Sequence, residues 1–238
     1  IFQIAATDKA GATVTQEIRV NIAGANDAPT IAGTATGTVI ESDNAHATIG
    51  GTLTHADVDS ADTFSWSLNS GQGTYGSLAF DTTTGQWGYT LDESRSATQG
   101  LNAGQTVTET FTVTGIDKAG AKVTQTITVA VQGTNDNPVV AGAHEGSVVE
   151  DRTLLANGTL TSTDLDSGDT PASWQVLSPQ GTYGALSIDS HGAWTYRLDV
   201  AASQSLKAGA TVDESFVVRV TDQHGGTTDQ ALTVHVTG

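Results

Sequence analysis

Aspartates in two short loops are the side chains of this sequence with the clearest potential for chemistry. The loops 57–62 and 164–169 each hold three aspartates in the pattern D-x-D-S-x-D. Two carboxylates on one side of a loop can bind a hard cation such as Ca²⁺. Aspartate is also common in turns because its side chain hydrogen-bonds to the local backbone. Taken alone, each loop leaves both interpretations open.

Further carboxylates are spaced so that they can converge on one junction, the segment Asn135–Pro138. In a β-sandwich whose chain enters at one end and leaves at the other, the acids before this segment lie at the bottom of one repeat. The acids after it lie at the top of the next. The first group is Glu41 and Asp92–Glu93, and the second is Asp164, Asp166 and Asp222.

A divalent cation would relieve the repulsion within such a cluster, where each close pair of carboxylates costs on the order of a few kcal/mol. Ca²⁺ suits the cluster better than Mg²⁺ because it accepts six to eight oxygens, including amide and backbone carbonyls, in irregular geometry. The alternative is that these acids only solubilise the loops.

The composition favours cation binding and excludes several other functions. The chain has 26 acidic and 9 basic residues, a net charge of -17, and neither Cys nor Met. Nucleic acid and anionic membranes repel such a chain, and disulfides, zinc-thiolate sites and thiol catalysis need cysteine. The sequence has no membrane-spanning apolar run and no signal-peptide pattern. We expect a segment of a longer protein, because the first residue falls inside a repeat.

Internal repetition defines the domain organisation. The stretch that begins at Thr7 recurs at Ile116, so that Asp8 matches Asp117 and Asp27 matches Asp136, in both cases 109 residues apart. A second stretch, beginning G-T-Y-G, also recurs. A period of roughly 105 to 109 residues is that of a whole domain. We therefore predict the C-terminal strands of a preceding repeat in residues 1–26, a complete repeat in 27–136 and a second repeat in 137–238.

Within each repeat, apolar residues alternate with threonine and other polar residues, as in half-buried strands. About seven short strands per repeat, separated by turns, predict an all-β fold of tandem Greek-key β-sandwiches of the cadherin or immunoglobulin type. Residues 1–24 should form two strands, by homology with 110–133. That hairpin should fray or pair with a neighbouring chain, since its sandwich partners are missing.

Catalytic and sugar-binding interpretations have less support. Trp87 and Trp194 recur beside tyrosines, which could form a sugar-stacking platform, but alternation places them on the core face of a strand. The histidines lack metal-type spacing, and no nucleophile elbow or paired-carboxylate cleft is recognisable. We predict that the chain is not an enzyme.

The acidic motifs resemble those of cadherin ectodomains, and more closely those of the bacterial cadherin-like VCBS repeats of giant RTX-type adhesins. The resemblance covers the whole chain. In cadherins a D-x-N-D-N-x-P junction, a Glu near the first strand, an L-D-R-E motif, a D-x-D loop and a late Asp hold calcium between domains. The departures are Gly133 in place of the first junction Asp, Ser94-Arg95 after Asp92-Glu93, and a later insertion of about eight residues. The corresponding residues here are Asn135, Asp136, Asn137, Glu41, Asp92, Glu93, Asp164, Asp166 and Asp222.

The resemblance implies further half-sites at the two ends. The junction that holds Asn26 and Asp27 would receive Asp57, Asp59 and Asp117, while Glu150 and Asp199 would face a third junction. Only the central site can be complete in this sequence.

The implied function is that of a calcium-stiffened extender of a secreted bacterial surface adhesin, supporting cell adhesion or biofilm formation. The expected partners are adjacent repeats of the same polypeptide. Binding of nucleic acid and insertion into membranes are not expected, and a glycan or protein ligand would bind elsewhere in the parent protein. The alternative is that a repeat itself is a ligand-binding adhesin module, which recognises glycan or protein through exposed loops.

Overall fold

Alternating apolar and polar residues give the strands one buried and one exposed face, and these strands build two similar β-sandwiches joined end to end. The computed structural model describes residues 1–42, 44–59, 63–171 and 173–238. The first sandwich contains β3 (Thr30–Gly33), β4 (Thr36–Ile40), β5 (Thr48–Ala56), β6 (Phe64–Leu68), β7 (Gly76–Phe80), β8 (Gln86–Leu91), β9 (Thr106–Asp117) and β10 (Lys122–Gln132).

The second sandwich repeats this arrangement strand for strand. It contains β11 (Val139–Gly142), β12 (Glu145–Val149), β13 (Leu155–Thr163), β14 (Ser173–Val176), β15 (Gly184–Ile188), β16 (Ala193–Leu198), β17 (Thr211–Thr221) and β18 (Thr227–Thr237).

Each sandwich consists of two four-stranded sheets. In the first, the strand orders are β3-β5-β8-β7 and β4-β10-β9-β6, and in the second they are β11-β13-β16-β15 and β12-β18-β17-β14. The pairs β4–β10 and β12–β18 are parallel. The all-β sandwich fold predicted from the sequence is confirmed.

The structure has eight strand segments in each repeat, over the described ranges, where about seven were predicted. The difference arises because the first strand is split between the two sheets: β3 pairs with β5, while β4 pairs with β10. The break falls at Gly33, whose φ is 119°, and a Cβ there would overlap the backbone oxygen of Thr52. Gly142, with a φ of 108°, has the same role in the second repeat.

Each sandwich has its own hydrophobic core. Trp87 and Trp194 are 4% and 1% exposed, and their indole Nε1 atoms donate to the carbonyls of Thr34 and Ala143 at 2.7 and 2.6 Å. This confirms the core position predicted for both tryptophans. The first core is formed by Val39, Leu53, Leu78, Trp87, Tyr89, Leu91, Leu101, Phe111, Val113, Ile127, Val129 and Val131, and the second by the corresponding residues of β12 to β18.

The N-terminal residues form a separate hairpin of β1 (Phe2–Thr7) and β2 (Thr13–Ile18). These strands pair antiparallel with each other, and every residue of both is exposed. The hairpin has no residue in either hydrophobic core.

Two single-turn helices, α1 (Ser96–Gln99) and α2 (Val200–Ser203), depart from the helix-free pattern expected from the sequence. Both follow the tryptophan-containing strand of their repeat. Among the described residues, no helix has the length and apolarity that a membrane crossing requires.

Candidate metal centre at the junction between the repeats

The linker 133–138 is fastened to both repeats by hydrogen bonds. The Asn135 amide donates from Nδ2 to Asp222 Oδ2 at 3.0 Å and to the Asp136 carbonyl at 2.7 Å. The Asp136 backbone N–H donates to Asp166 Oδ2 at 2.9 Å. On the other side, the Thr134 N–H donates to Glu41 Oε2 at 3.2 Å. These bonds bring carboxylates of both repeats to the same few linker residues.

The first repeat contributes Glu41 and Glu93. Glu41 follows β4 and is fully buried. The Gln99 amide bridges the two glutamates, since its Nε2 donates to Glu41 Oε1 at 3.2 Å and to Glu93 Oε2 at 3.3 Å. The Ser42 N–H donates to Glu93 Oε1 at 3.1 Å. Two glutamates that lie apart in the sequence therefore share one end of this repeat.

The second repeat contributes the aspartates of its D-x-D loop and Asp222. The Asp166 N–H donates to Asp164 Oδ1 at 3.0 Å, which fixes the loop after β13. Asp222, which follows β17, holds its own turn by accepting from the N–H groups of His224 and Gly226, both at 2.8 Å. Asp166 and Asp222 are each 2% exposed. Both loops thus present nearly buried carboxylates to the linker.

A third aspartate of the same loop joins the cluster. Carboxylate oxygens of Asp164, Asp169 and Asp222 lie within 4.8 Å of one another. Asp169 also accepts from the His224 ring at 3.0 Å. The geometry therefore adds Asp169 to the residues singled out from the sequence.

Burial first, and the neighbouring carboxylates second, make deprotonation unfavourable for three of these acids. Burial raises the pKa of Glu41 to about 7, and the charges of Asp136, Glu93 and Asp166 add to that rise. Burial also raises the pKa of Asp136, with contributions from Asp166, Asp164 and Glu93. The same two causes raise the pKa of Asp166. Asp222 differs: although burial acts to raise its pKa, hydrogen bonds from Asn135 and from its own turn lower it overall.

Four oxygens at this junction are buried and have no hydrogen-bond partner among the described residues. They are Asn135 Oδ1, Asp136 Oδ2, Asp164 Oδ2 and Asp166 Oδ1. Each buried polar atom without a partner costs about 1–3 kcal/mol. Three carboxylate oxygens and one amide oxygen match the ligand preference of a hard divalent cation.

Two of the residues predicted from the sequence have other partners. Asp92 accepts from the Ser94 hydroxyl at 2.6 Å and from Arg95 Nε at 2.9 Å, and these two bonds hold the pKa of Asp92 at about 2. Asn137 Oδ1 accepts from the Thr227 N–H at 3.1 Å and so ties the linker to β18. In the described parts of the chain, the Asp92 side chain forms hydrogen bonds only with residues of its own turn.

The first junction reproduces half of this arrangement. Asn26 Nδ2 donates to Asp117 Oδ2 at 2.9 Å, the Asp27 N–H donates to Asp59 Oδ2 at 2.8 Å, and the Asp59 N–H donates to Asp57 Oδ1 at 2.9 Å. Asp57 Oδ2 is buried without a partner among the described residues. Residues 60–62 of this loop, including the third aspartate of the motif, lie outside the described residues.

Sequence reasoning missed Gln99 and Asp169 as members of the site. Both carry a signal that internal comparison could have detected. Gln204 occupies the position of Gln99 in the second repeat and donates from its amide to Glu150 Oε1. Asp169 has a sequence counterpart at the end of loop 57–62. A residue type that recurs at the same repeat position outside the core marks a shared role.

Comparisons with known proteins agree with the fold. The model of the family described as "Bacterial cadherin-like domain" matches residues 26–133 and 135–238. No curated protein sequence matches the chain.

Solved structures of cadherin ectodomains have the same fold. Domains EC1-4 of PcdhgB3 match with a TM-score of 0.58 and 17% identity, over 98% of this chain and 55% of that one. Protocadherin gamma B2 domains 1-5 match with a TM-score of 0.53 and 16% identity, over 99% and 44%. The protocadherin gamma B4 extracellular domain gives 0.51 and 16%, over 98% and 36%. The chain spans about half or less of the length of these structures.

Proposed function

We propose, from the premise that this chain belongs to the family of bacterial cadherin-like domains, that its repeats are extender domains held end to end by calcium. The domain boundaries that go with this proposal are a C-terminal remnant of a preceding repeat in 1–26 and repeats in 27–136 and 137–238. Two separate hydrophobic cores support the latter two units.

The observation that carries the proposal is the set of buried oxygens without hydrogen-bond partners at the central linker. They belong to the linker and to the second repeat, and the buried Glu41 and the half-buried Glu93 face them from the first repeat. The candidate ligands are Glu41, Glu93, Asn135, Asp136, Asp164, Asp166, Asp169 and Asp222.

Calcium fits this set better than magnesium. The set mixes carboxylates with an amide oxygen and comes from five separate chain segments, whereas Mg²⁺ demands a small octahedron and keeps several waters. When bound, calcium would supply the positive charge that these carboxylates otherwise lack. The side chains of this chain then fix the linker, because Asn135 and Asp136 are already hydrogen-bonded to the second repeat.

The biological setting that fits these properties is a large secreted adhesin of the bacterial surface, with repeats of the VCBS type found in RTX-type proteins. Its role there would be to project an adhesive domain in cell adhesion or biofilm formation. A net charge of -17 and the absence of cysteine suit a repeat that is stiffened by calcium instead of by disulfides. The neighbouring repeats would be the direct partners, through Asp27, Asp57, Asp59 and Asp117 at one end and Glu150 and Asp199 at the other.

Small-angle scattering with and without calcium tests the proposal. With calcium, the chain should be an elongated rod. With chelator, the carboxylates at the linker repel one another. The chain should then bend at the linker and sample a broader range of maximum dimensions. Circular dichroism should barely change, because each sandwich has its own core. If the scattering profile is the same in both conditions, the extender proposal is wrong.

A further inference from the structure

Each repeat contains a buried glutamate that lies outside the junction cluster. Glu109 is 6% exposed, and among the described residues its side chain accepts hydrogen bonds from its own repeat. Its Oε2 accepts from the Tyr89 hydroxyl at 2.5 Å. Its Oε1 accepts from the N–H groups of Thr74, and of Tyr75 at 2.9 Å. One carboxylate thus holds the loop between β6 and β7 against β8 and β9.

The G-T-Y-G motif of this loop is explained by that contact. A Cβ on Gly73 would overlap the Glu109 carboxylate, and a Cβ on Gly76 would overlap the backbone oxygen of Thr90 and the Tyr89 hydroxyl. Gly73 is therefore required by the close approach of Glu109, and Gly76 by the close approach of β8.

The carbonyls of the same loop hold the segment that leads into α1. The Tyr75 carbonyl accepts from the Asp92 N–H at 2.9 Å and from the Thr98 hydroxyl at 3.1 Å. Arg95 Nη1 donates to the Gly73 carbonyl at 2.5 Å and to the Thr74 carbonyl at 3.2 Å. The loop that Glu109 fixes therefore fixes residues 92–98 in turn.

Segment 92–99 carries Glu93 and Gln99, and the Gln99 amide bridges Glu93 to Glu41 at the junction. We propose that Glu109 is a positioning residue for the calcium site, although it does not contact that site. Glu109 orders the G-T-Y-G loop, and the loop anchors segment 92–99. That segment in turn presents Glu93 and Gln99 to the linker. This inference rests on the proposed calcium function.

The second repeat supplies a matched control. Glu214, 7% exposed, accepts from the Tyr196 hydroxyl and from the N–H groups of Thr182 and Tyr183 in the same way. It lies eight residues before Asp222 on β17, which places it about 26 Å from the central junction along the strand. Glu214→Gln therefore disturbs the same type of contact without reaching this site.

The test compares Glu109→Gln with Glu214→Gln in the full chain. Glutamine keeps the size of the side chain but removes its negative charge, so the loop N–H groups and the tyrosine hydroxyl lose their strong, charge-assisted bonds to a carboxylate. In calcium-free protein, hydrogen exchange at the Asp92 amide should accelerate in Glu109→Gln and stay unchanged in Glu214→Gln. In calorimetric calcium titrations, Glu109→Gln should weaken binding at the central junction by about tenfold, the scale seen when groups that orient metal ligands are altered. Glu214→Gln should leave that binding unchanged.

Three outcomes overturn the inference. Equal losses of calcium affinity in the two variants would show a general effect of lowered stability. A Glu109→Gln variant with wild-type exchange and affinity would show that Glu109 positions nothing. A wild-type chain that binds no calcium would overturn the proposed calcium function together with this inference. The first two outcomes would overturn only the role of Glu109. If Glu109→Gln does not fold, Tyr89→Phe with Tyr196→Phe as its control makes the same comparison, because each removes one hydroxyl and keeps the carboxylate.

Discussion

The two junctions of this chain have the same linker contacts but different surroundings. Three of the hydrogen bonds that recur run from the Asn amide to the late Asp, from the Asp N–H to the D-x-D loop, and within that loop. Their lengths at the first junction are 2.9, 2.8 and 2.9 Å, and at the central junction they are 3.0, 2.9 and 3.0 Å. The half-site that follows each linker is therefore built by one repeat alone.

Burial is what differs between the junctions. Asn26 and Asp27 are exposed, whereas Asn135 and Asp136 are half-buried under the end of the first repeat. In residues 1–25 the acidic residues are Asp8 and Glu17, which hydrogen-bond within or beside their own hairpin. One repeat therefore orders its own candidate ligands, while the repeat before the linker provides additional carboxylates and partly buries the linker.

The largest difference in calcium binding should be between variants that lack the linker aspartate of the central junction and variants that lack the linker aspartate of the first junction. Asp136→Ala deletes a candidate ligand that lies between two repeats, so the tightest calcium binding seen by calorimetry should be lost. Asp27→Ala changes the matching residue at the half-site and should leave that binding intact. Equal effects of the two substitutions would show that the central junction is no tighter than a half-site.

A smaller loss of calcium affinity should follow from changing the end of the first repeat so that it resembles the end of the second repeat. Between Leu91 and α1 the first repeat has Asp92-Glu93-Ser94-Arg95, whereas Leu198 is followed by Asp199 and then directly by α2. The second repeat therefore lacks counterparts of Glu93 and of Arg95.

Glu93→Val removes one carboxylate from the calcium set and leaves Glu41 without its partner across Gln99. We expect calcium affinity to fall about tenfold, or ~1.4 kcal/mol, as measured by calorimetry. Glu150→Gln at the far end of the second repeat is the control and should have no effect on the central site. An unchanged affinity in Glu93→Val would remove Glu93 from the proposed ligands.

Much of this architecture could be predicted from the sequence because it depends on local patterns. The period-two alternation placed Trp87, Tyr89 and Leu91 in the core, and they are 4%, 0% and 5% exposed. The recurrence at a spacing of 109 residues brought Asp27 and Asp136 to equivalent linkers. The convergence of Glu41, Asp136 and Asp166, which stays a prediction as a metal site, also follows from which ends of the strands they occupy.

Other features depend on side-chain partners that the sequence does not show. Asp92 matches the acidic motif as well as Glu93 does, but the nearby Ser94 and Arg95 hold its carboxylate. The amide of Gln99 has no sequence motif, although it bridges two glutamates. The split of the first strand at Gly33 depends on the approach of Thr52 from a strand nearly 20 residues later.

The smallest effect is a change in stability, and it concerns the backbone conformation of the residue directly after the junction glutamate in each repeat. Ser42 and Asp151 adopt the left-handed conformation, with φ values of 56° and 57°. This conformation costs a non-glycine residue about 1–2 kcal/mol, and the greater flexibility of glycine in the unfolded chain offsets part of that cost. Ser42→Gly and Asp151→Gly should each raise the free energy of unfolding of their repeat by about 0.5 kcal/mol, which corresponds to a Tm increase of roughly 2–4 °C.

Thermal unfolding in chelator measures this gain, and Ser67→Gly is the control. Ser67 lies within β6, where glycine has no conformational advantage, so that substitution should lower the Tm. Calcium affinity should be unchanged in Ser42→Gly, because the backbone N–H that donates to Glu93 is retained. A gain at Asp151 without a gain at Ser42 would assign the effect to the lost negative charge instead of to the backbone. Equal gains at both sites would show that the turn after the junction glutamate carries the same strain in the two repeats, whether or not a complete calcium set lies beside it.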